Sequence, residues 1–183
     1  GGILANNASG MCCGVEQNSY QTLDSMRIIL ADGTVLDTAD KTSRSDFERS
    51  HGHILKTLSQ IRDRVRKNSE LAERIRYKYK IKNTNGYSLN ALIDYQNPFD
   101  IMIHLMIGSE GTLGFISSAV LRTVVEHPHK ASALILYPDV KSACQVIPIL
   151  QKQPVAAAEL MDRAALRSVE NKEGVPDYLK SLA

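Results

Sequence analysis

No stretch of this sequence is apolar for long enough to cross a bilayer, and it shows no charged, apolar and small-residue succession of a signal peptide. Cysteine is scarce. Cys12, Cys13 and Cys144 are an odd number with two of them adjacent, which makes neither a disulfide framework nor a zinc pattern and points to a reducing compartment, the cytoplasm. Charge of one sign is also lacking: a formal net charge of +2 gives no global case for nucleic acid as a partner. Proline and glycine are not in excess, and a composition 43% hydrophobic and 23% charged is that of a folded globular protein rather than a disordered one. With 183 residues the chain holds one good core, or one domain and the start of another.

What charge there is lies unevenly. Between Arg62 and Lys82 nine Lys or Arg face only Asp63, Glu70 and Glu73, an excess of six that leaves the rest of the chain at −4. A stretch of this kind is a solvated helix face or a contact for an anionic membrane surface or phosphate-rich partner. Along the chain, Ser25–Ala31 and Thr34–Thr38 flank Asp32-Gly33, a hairpin signal that predicts a type I′ turn. Ser45 is expected to cap a helix with Phe47, Ile54, Leu55, Leu58, Ile61 and Val65 on its apolar face. A second helix follows Ser69 with Leu71, Ile75 and Tyr79, so that 45–80 forms a helical excursion on the outside of a sheet. A short helix over Tyr87–Ile93, a brief element over Phe99–Met106 and a strand over Phe115–Val125 come next. Glu126-His-Pro-His129 reads as a domain boundary. The last third predicts a strand over Ala131–Tyr137, a helix over Asp139–Lys152 disturbed by Pro148, a strand over Val155–Met161 and a helix over Asp162–Val169. That is the opening of an α+β unit of the split βαβ kind.

Two small-residue loops carry the chemistry. Gly108-Ser-Glu-Gly-Thr-Leu-Gly114 sits between an apolar run and a strand; its glycines and hydroxyls let a backbone approach a ligand and aim amides at an anion, although a tight connection between buried elements uses the same residues. Gly1-Gly-Ile-Leu-Ala-Asn-Asn-Ala-Ser-Gly10 has the same character. Its adjacent asparagines suit either a polar ligand edge or a helix cap. Serine nucleophile chemistry fits neither Ser9 nor Ser109, which lack a G-x-S-x-G frame. His51 and His53 point to different faces of a helix and make a poor metal pair; His127 and His129 suit a solvated linker or a metal; His104 reads as a hydrogen-bonded core residue. Cys12 and Cys13 either touch the loop's ligand or pack as small buried residues.

The motifs at 1–10, at Leu30-Ala-Asp-Gly-Thr-Val-Leu36, at Lys82-Asn-Thr-Asn-Gly-Tyr-Ser-Leu-Asn-Ala-Leu92 and at Ile107-Gly-Ser-Glu-Gly-Thr-Leu-Gly-Phe-Ile116 occur in an order that resembles the vanillyl-alcohol-oxidase, PCMH-type FAD-binding family. Within it the chain is similar to the FAD-linked D-lactate dehydrogenases and their glycolate oxidase and D-2-hydroxyglutarate dehydrogenase relatives. Pro154–Leu166 also resembles the start of the substrate domain in the bacterial D-lactate enzymes.

The resemblance implies an α+β protein: residues 1–126 as the second half of a PCMH-type FAD-binding domain with a helical insertion at about 45–82, and 127–183 as the beginning of a ferredoxin-like α+β substrate domain. It implies that the first half, with its own pyrophosphate loop, lies upstream, in keeping with a chain that opens inside a ligand loop without an initiator Met. The cofactor it implies is FAD. Gly1, Gly2, Asn6, Asn7, Ala8, Ser9 and Gly10 are expected against the pyrophosphate and isoalloxazine, and the backbone around Glu110, Gly111, Gly114 and Ile116 on the adenine and ribose side, with Asn85 and Gly86 nearby. No catalytic or metal residue is expected in this chain. The implied reaction is oxidation of a small 2-hydroxy acid, D-lactate to pyruvate foremost, with electrons passed to a quinone or cytochrome. Glycolate, D-2-hydroxyglutarate or a noncatalytic nucleotide-binding role are the alternatives. No nucleic acid is expected; peripheral contact with the inner face of the membrane is, through the basic insertion. Met11-Cys-Cys-Gly14 departs from the Arg-Tyr-Gly found at this place in many relatives.

Overall fold

The computed structural model describes residues 2–10, 13–169 and 171–180. It divides into two compact units, Gly1–Glu126 and His127–Ala183. The first opens with the short helices α1 (Gly2–Ala5) and α2 (Ser19–Thr22) and leads into β1 (Leu23–Ile29). β1 is the middle of a three-stranded antiparallel sheet, ordered β2-β1-β3 with β2 at Val35–Asp37 and β3 at Phe115–Leu121. Ile28 lies opposite Leu36 on one side and Ile116 on the other, and all three are buried. Irregularities in the β1–β3 register carry the inward face from Leu23 and Ser25 to Met26 and Ile28, and thus keep a bulged strand apolar toward the core.

The hairpin is present with a different turn from the one expected. Gly33 N donates to Leu30 O and Leu30 N to Thr34 O, both at 2.9 Å. Gly33 has φ +86 whereas Asp32 is not among the residues with positive φ. This is the three-residue loop, a hydrogen-bonded turn closed by a left-handed glycine, and not the type I′ turn, which needs positive φ twice. The Asp32 side chain accepts from Thr34 N and so fixes the loop without a positive φ at Asp32 itself.

The helical excursion consists of α3 (Lys41–Lys67) and α4 (Ser69–Lys78). α3 begins earlier than Ser45, because Asp40 is its cap: the carboxylate accepts from Thr42 N at 2.8 Å. Ser43 Oγ accepts from Asp37 N, which ties the first turn to the end of β2. Phe47, Leu55 and Val65 are buried, as their spacing requires, while Leu71 of α4 is exposed and Ala72 and Ile75 take the inner face instead. Non-helical angles at His51 kink α3. There the imidazole reaches Asp32 Oδ2 at 2.8 Å and stacks on Phe47, a clamp between the helix and the hairpin loop.

Several basic residues of the excursion are engaged. Arg62 pairs with Asp63 and donates to Gln96 O, and Arg76 pairs with Glu73. Arg66 donates to the carbonyls of Leu92, Ile93 and Tyr95, closing the end of α5 (Ala91–Asp94). Lys82 belongs to the site described below. α5 is shorter than the expected Tyr87–Ile93 helix, since Leu89 N donates to the Tyr79 hydroxyl instead of forming a helical ladder. α6 (Pro98–Met106) is capped by Asn97, whose side chain accepts from Phe99 N, and carries Pro98 in its first turn. Apolar nearly all round, it is buried nearly all round: Ile101, Ile103 and Met106 form the centre of the core with Met26, Ile28, Leu36 and Phe47.

His104 lies within this buried helix, as expected of a core histidine. Its Nδ1 donates to Asp100 O at 2.7 Å, and its ring stacks on Tyr95 and meets Tyr20 edge-on. Burial holds its pKa below the usual histidine value. The Tyr20 hydroxyl donates to Asp94 at 2.8 Å, and burial followed by that carboxylate pushes the phenol well up; Tyr95 is pushed up to about 12, chiefly by burial.

In the second unit Asp139 caps α7 (Val140–Gln145) by accepting from Ser142 N. Pro148 sits in the first turn of the separate helix α8 (Ile147–Leu150), so it breaks the expected long helix in two. Asp162 caps α9 (Arg163–Arg167), and α10 spans Asp177–Lys180. The expected strands at Ala131–Tyr137 and Val155–Met161 form no ladder among the described residues, and Leu134, Ile135, Leu136, Leu160 and Met161 are exposed. A strand is stable only beside another, and these segments do not pair. The chain is therefore α+β through the sheet and helices of its first unit, while the split βαβ arrangement is not formed among the described residues of the second. β3 also ends at Leu121 rather than Val125.

Candidate functional site

Three segments distant in sequence meet at one edge of the first unit. After α1 the backbone turns at Asn7, which has φ +52. Asn6 Oδ1 accepts from Ala8 N at 2.9 Å, so the two asparagines set the loop's path with their own side chains. The second loop is joined to this one by main-chain bonds: Gly108 N donates to Leu4 O at 3.1 Å and Glu110 N to Ala5 O at 2.9 Å. The third segment, 82–88, is held by both. Asn7 Nδ2 donates to Asn83 O at 3.0 Å, and Ser88 Oγ to Ile107 O at 2.8 Å.

Gly108 explains why the second loop needs its first glycine. It has φ +84, and a Cβ built there would lie 2.9 Å from the carbonyl oxygen of Gly86. The Tyr87 hydroxyl and Thr112 Oγ1 share a hydrogen bond at 2.8 Å and fasten the same two segments nearer the surface.

The convergence leaves an open groove of ≈ 360 Å³ lined by Asn6, Ala8, Ser9, Lys82, Thr84 and Glu110. Its charged side chains are Lys82 and Glu110. The Lys82 ammonium donates to the carbonyl of Ser9 and, at 3.4 Å, to that of Gly10. Cys13 Sγ donates to Gly10 O at 2.9 Å. Among the described residues, buried Asn7 Oδ1 and Ser109 Oγ have no hydrogen-bond partner.

Of the residues expected at a cofactor, Asn6, Ala8, Ser9 and Glu110 line the groove, and Asn7 is buried behind it. Gly2, Gly10 and Gly111 are exposed, and a Cβ at any of them would meet nothing within 4 Å, so the backbone is open to a ligand. Gly1 lies outside the described residues, as do Met11 and Cys12. Gly86 touches Gly108, and Asn85 is exposed beside it. Gly114 and Ile116 are not among the residues lining the groove: a Cβ at Gly114 would lie 2.9 Å from Ile29 O, and the Ile116 side chain is buried in the core opposite Ile28. Lys82 and Thr84 did not stand out in the sequence. Lys82 was one cation in a basic tract, though it opens the Lys82–Leu92 motif.

The ring centroids of His51 and His53 lie 6.1 Å apart, and His51 is engaged with Asp32. Among the described residues no group of three or more His, Cys, Asp or Glu is placed to hold a metal ion. None of their helices is long and apolar enough to cross a membrane.

Residues 126–182 match the family described as FAD linked oxidases, C-terminal domain. Over 179 residues, 95% of the chain and 28% of the relative, the chain is 25% identical to a protein of Archaeoglobus fulgidus named D-lactate dehydrogenase. Over 85 residues, 44% of the chain and 18% of the relative, it is 32% identical to the glycolate oxidase subunit GlcD of Bacillus subtilis. The chain thus spans less than a third of the length of either relative. No solved structure matches it. Together the matches support the FAD-linked oxidase family and FAD as the cofactor.

Proposed function

We propose that this chain, as part of an FAD-linked oxidoreductase, forms one wall of the cofactor site of an enzyme that oxidises a small 2-hydroxy acid, D-lactate to pyruvate foremost. The observation that supports it best is the pair of main-chain bonds, Gly108 to Leu4 and Glu110 to Ala5, which join the two loops into one groove. The residues fit the cofactor: exposed glycines admit close approach, a lysine and hydroxyls line the groove, and unpartnered polar atoms lie behind it.

When bound, the flavin supplies the redox chemistry. The chain's own residues bind and orient. The exposed backbone at Gly10 and Gly111 would admit the cofactor, the Asn6–Asn7 turn would present Ala8 and Ser9 to it, and Glu110 would offer a carboxylate to ribose hydroxyls. A 2-hydroxy acid also needs a cation for its carboxylate and a base for its hydroxyl proton, and we assign neither to this chain. A quinone or cytochrome is the proposed electron acceptor. The B. subtilis relative's name favours glycolate as the second reading.

The full protein is expected to purify yellow and to release flavin on denaturation, and reduction of its flavin should be fastest with D-lactate among D-lactate, glycolate and D-2-hydroxyglutarate. A colourless protein that takes up no FAD would remove the cofactor reading. Faster reduction by glycolate would replace the substrate.

A further inference from the structure

We infer that Lys82 supplies the positive charge that holds the diphosphate of the bound dinucleotide, an inference that rests on the flavin-binding reading above. The ammonium is already placed at the groove by the carbonyls of Ser9 and Gly10. Carbonyls orient a lysine without neutralising it, and among the described residues Lys82 enters no ion pair. An ammonium has three donors, so the two carbonyls leave a direction for a further acceptor.

Charge balance makes the assignment specific. Lys82 and Glu110 are the charged side chains that line the groove, so it is neutral with the lysine and negative without it. A negative groove repels a dianionic diphosphate; a neutral one with its cation at the Ser9–Gly10 end attracts it there and leaves Glu110 for the sugar. The position is also built, not incidental. Asn83, the next residue, accepts from the buried Asn7, and Gly86 is pressed against Gly108, so the segment that carries Lys82 is pinned to both loops.

A lysine that merely braced the Ser9–Gly10 backbone would matter equally at every ionic strength, whereas one that pairs with phosphate loses its advantage as salt screens it. The test is the Kd for FAD of the deflavinated full protein, measured by fluorescence at low and high salt for the wild type, Lys82→Gln and Lys82→Arg. At low salt Lys82→Gln should bind on the order of tenfold more weakly, with the gap narrowing at high salt, and Lys82→Arg should stay near the wild type. In the wild type, inorganic pyrophosphate should compete with FAD, a measurement that does not depend on a variant folding. Unchanged binding by Lys82→Gln, a loss of the same size at every salt concentration, or no competition by pyrophosphate would overturn the assignment. A wild type that binds no FAD would instead sink the underlying reading.

Discussion

Gly108 is where an added methyl group costs this site most. Its left-handed backbone and the Gly86 oxygen, 2.9 Å from where a Cβ would stand, act together, whereas Gly111, with φ +77, has open space around it. Gly108→Ala is therefore expected to destabilise by about 1–3 kcal/mol and to loosen FAD binding, while Gly111→Ala suffers backbone strain alone and loses less. Urea unfolding of the two variants side by side measures the difference. His104 gives the pH prediction. Its neutral ring is what the fold buries, between Tyr20 and Tyr95 and near Asp94 and Asp100, so its pKa is lower folded than unfolded. The stability it contributes is present above the ordinary histidine value near 6.5 and is lost as pH falls below it. Thermal melts between pH 7.5 and 5 should fall more steeply for the wild type than for His104→Gln. Asp32 behaves as a carboxylate should: the Thr34 amide first and His51 second hold its pKa down to about 2, so its contribution survives until strongly acid pH.

The elements show where a basic side chain stops being surface. Arg66 looked like one member of a solvated cationic face, yet it closes three carbonyls at the end of α5. Arg66→Met should cost about 1–3 kcal/mol in denaturant unfolding, well above the near-zero effect of an exposed Arg64→Met. Apolar spacing made α3 and α4 legible, since a buried stripe writes itself into the sequence, whereas α6, apolar nearly all round, read only as a brief element. Their starts were less so. Asp40 and Ser45 are both good caps, and only the bond from Thr42 N and the tie between Asp37 and Ser43 select the first. The hairpin turn failed to read for a similar reason: Asp-Gly serves two loop lengths, and the pairing of Leu30 with Thr34 decides between them.

At the scale of the whole molecule, the groove was readable as two loops of similar chemistry, but Lys82 was not, because its neighbours Ser9 and Gly10 lie far away in sequence. The strands expected after residue 130 were misread because alternation and apolarity state a willingness to pair and name no partner. We propose that the exposed cations left by the structure, Arg74 and Lys78 among them, together with exposed Tyr77 and Ile81, contact an anionic membrane from the cytoplasmic side. Arg74→Glu with Lys78→Glu should then weaken binding to vesicles containing anionic lipid several-fold, and unaltered co-sedimentation would count against it.

The seam between Leu4–Ala5 and Gly108–Glu110 also sets an order of events as the chain folds. Its two sides are separated by the sheet's first two strands and the whole helical excursion, so joining them closes a very long loop of backbone. By its entropy such a closure is expected to follow the local helices and the hairpin. The groove at that seam is therefore a late feature of folding, absent until the long loop has closed.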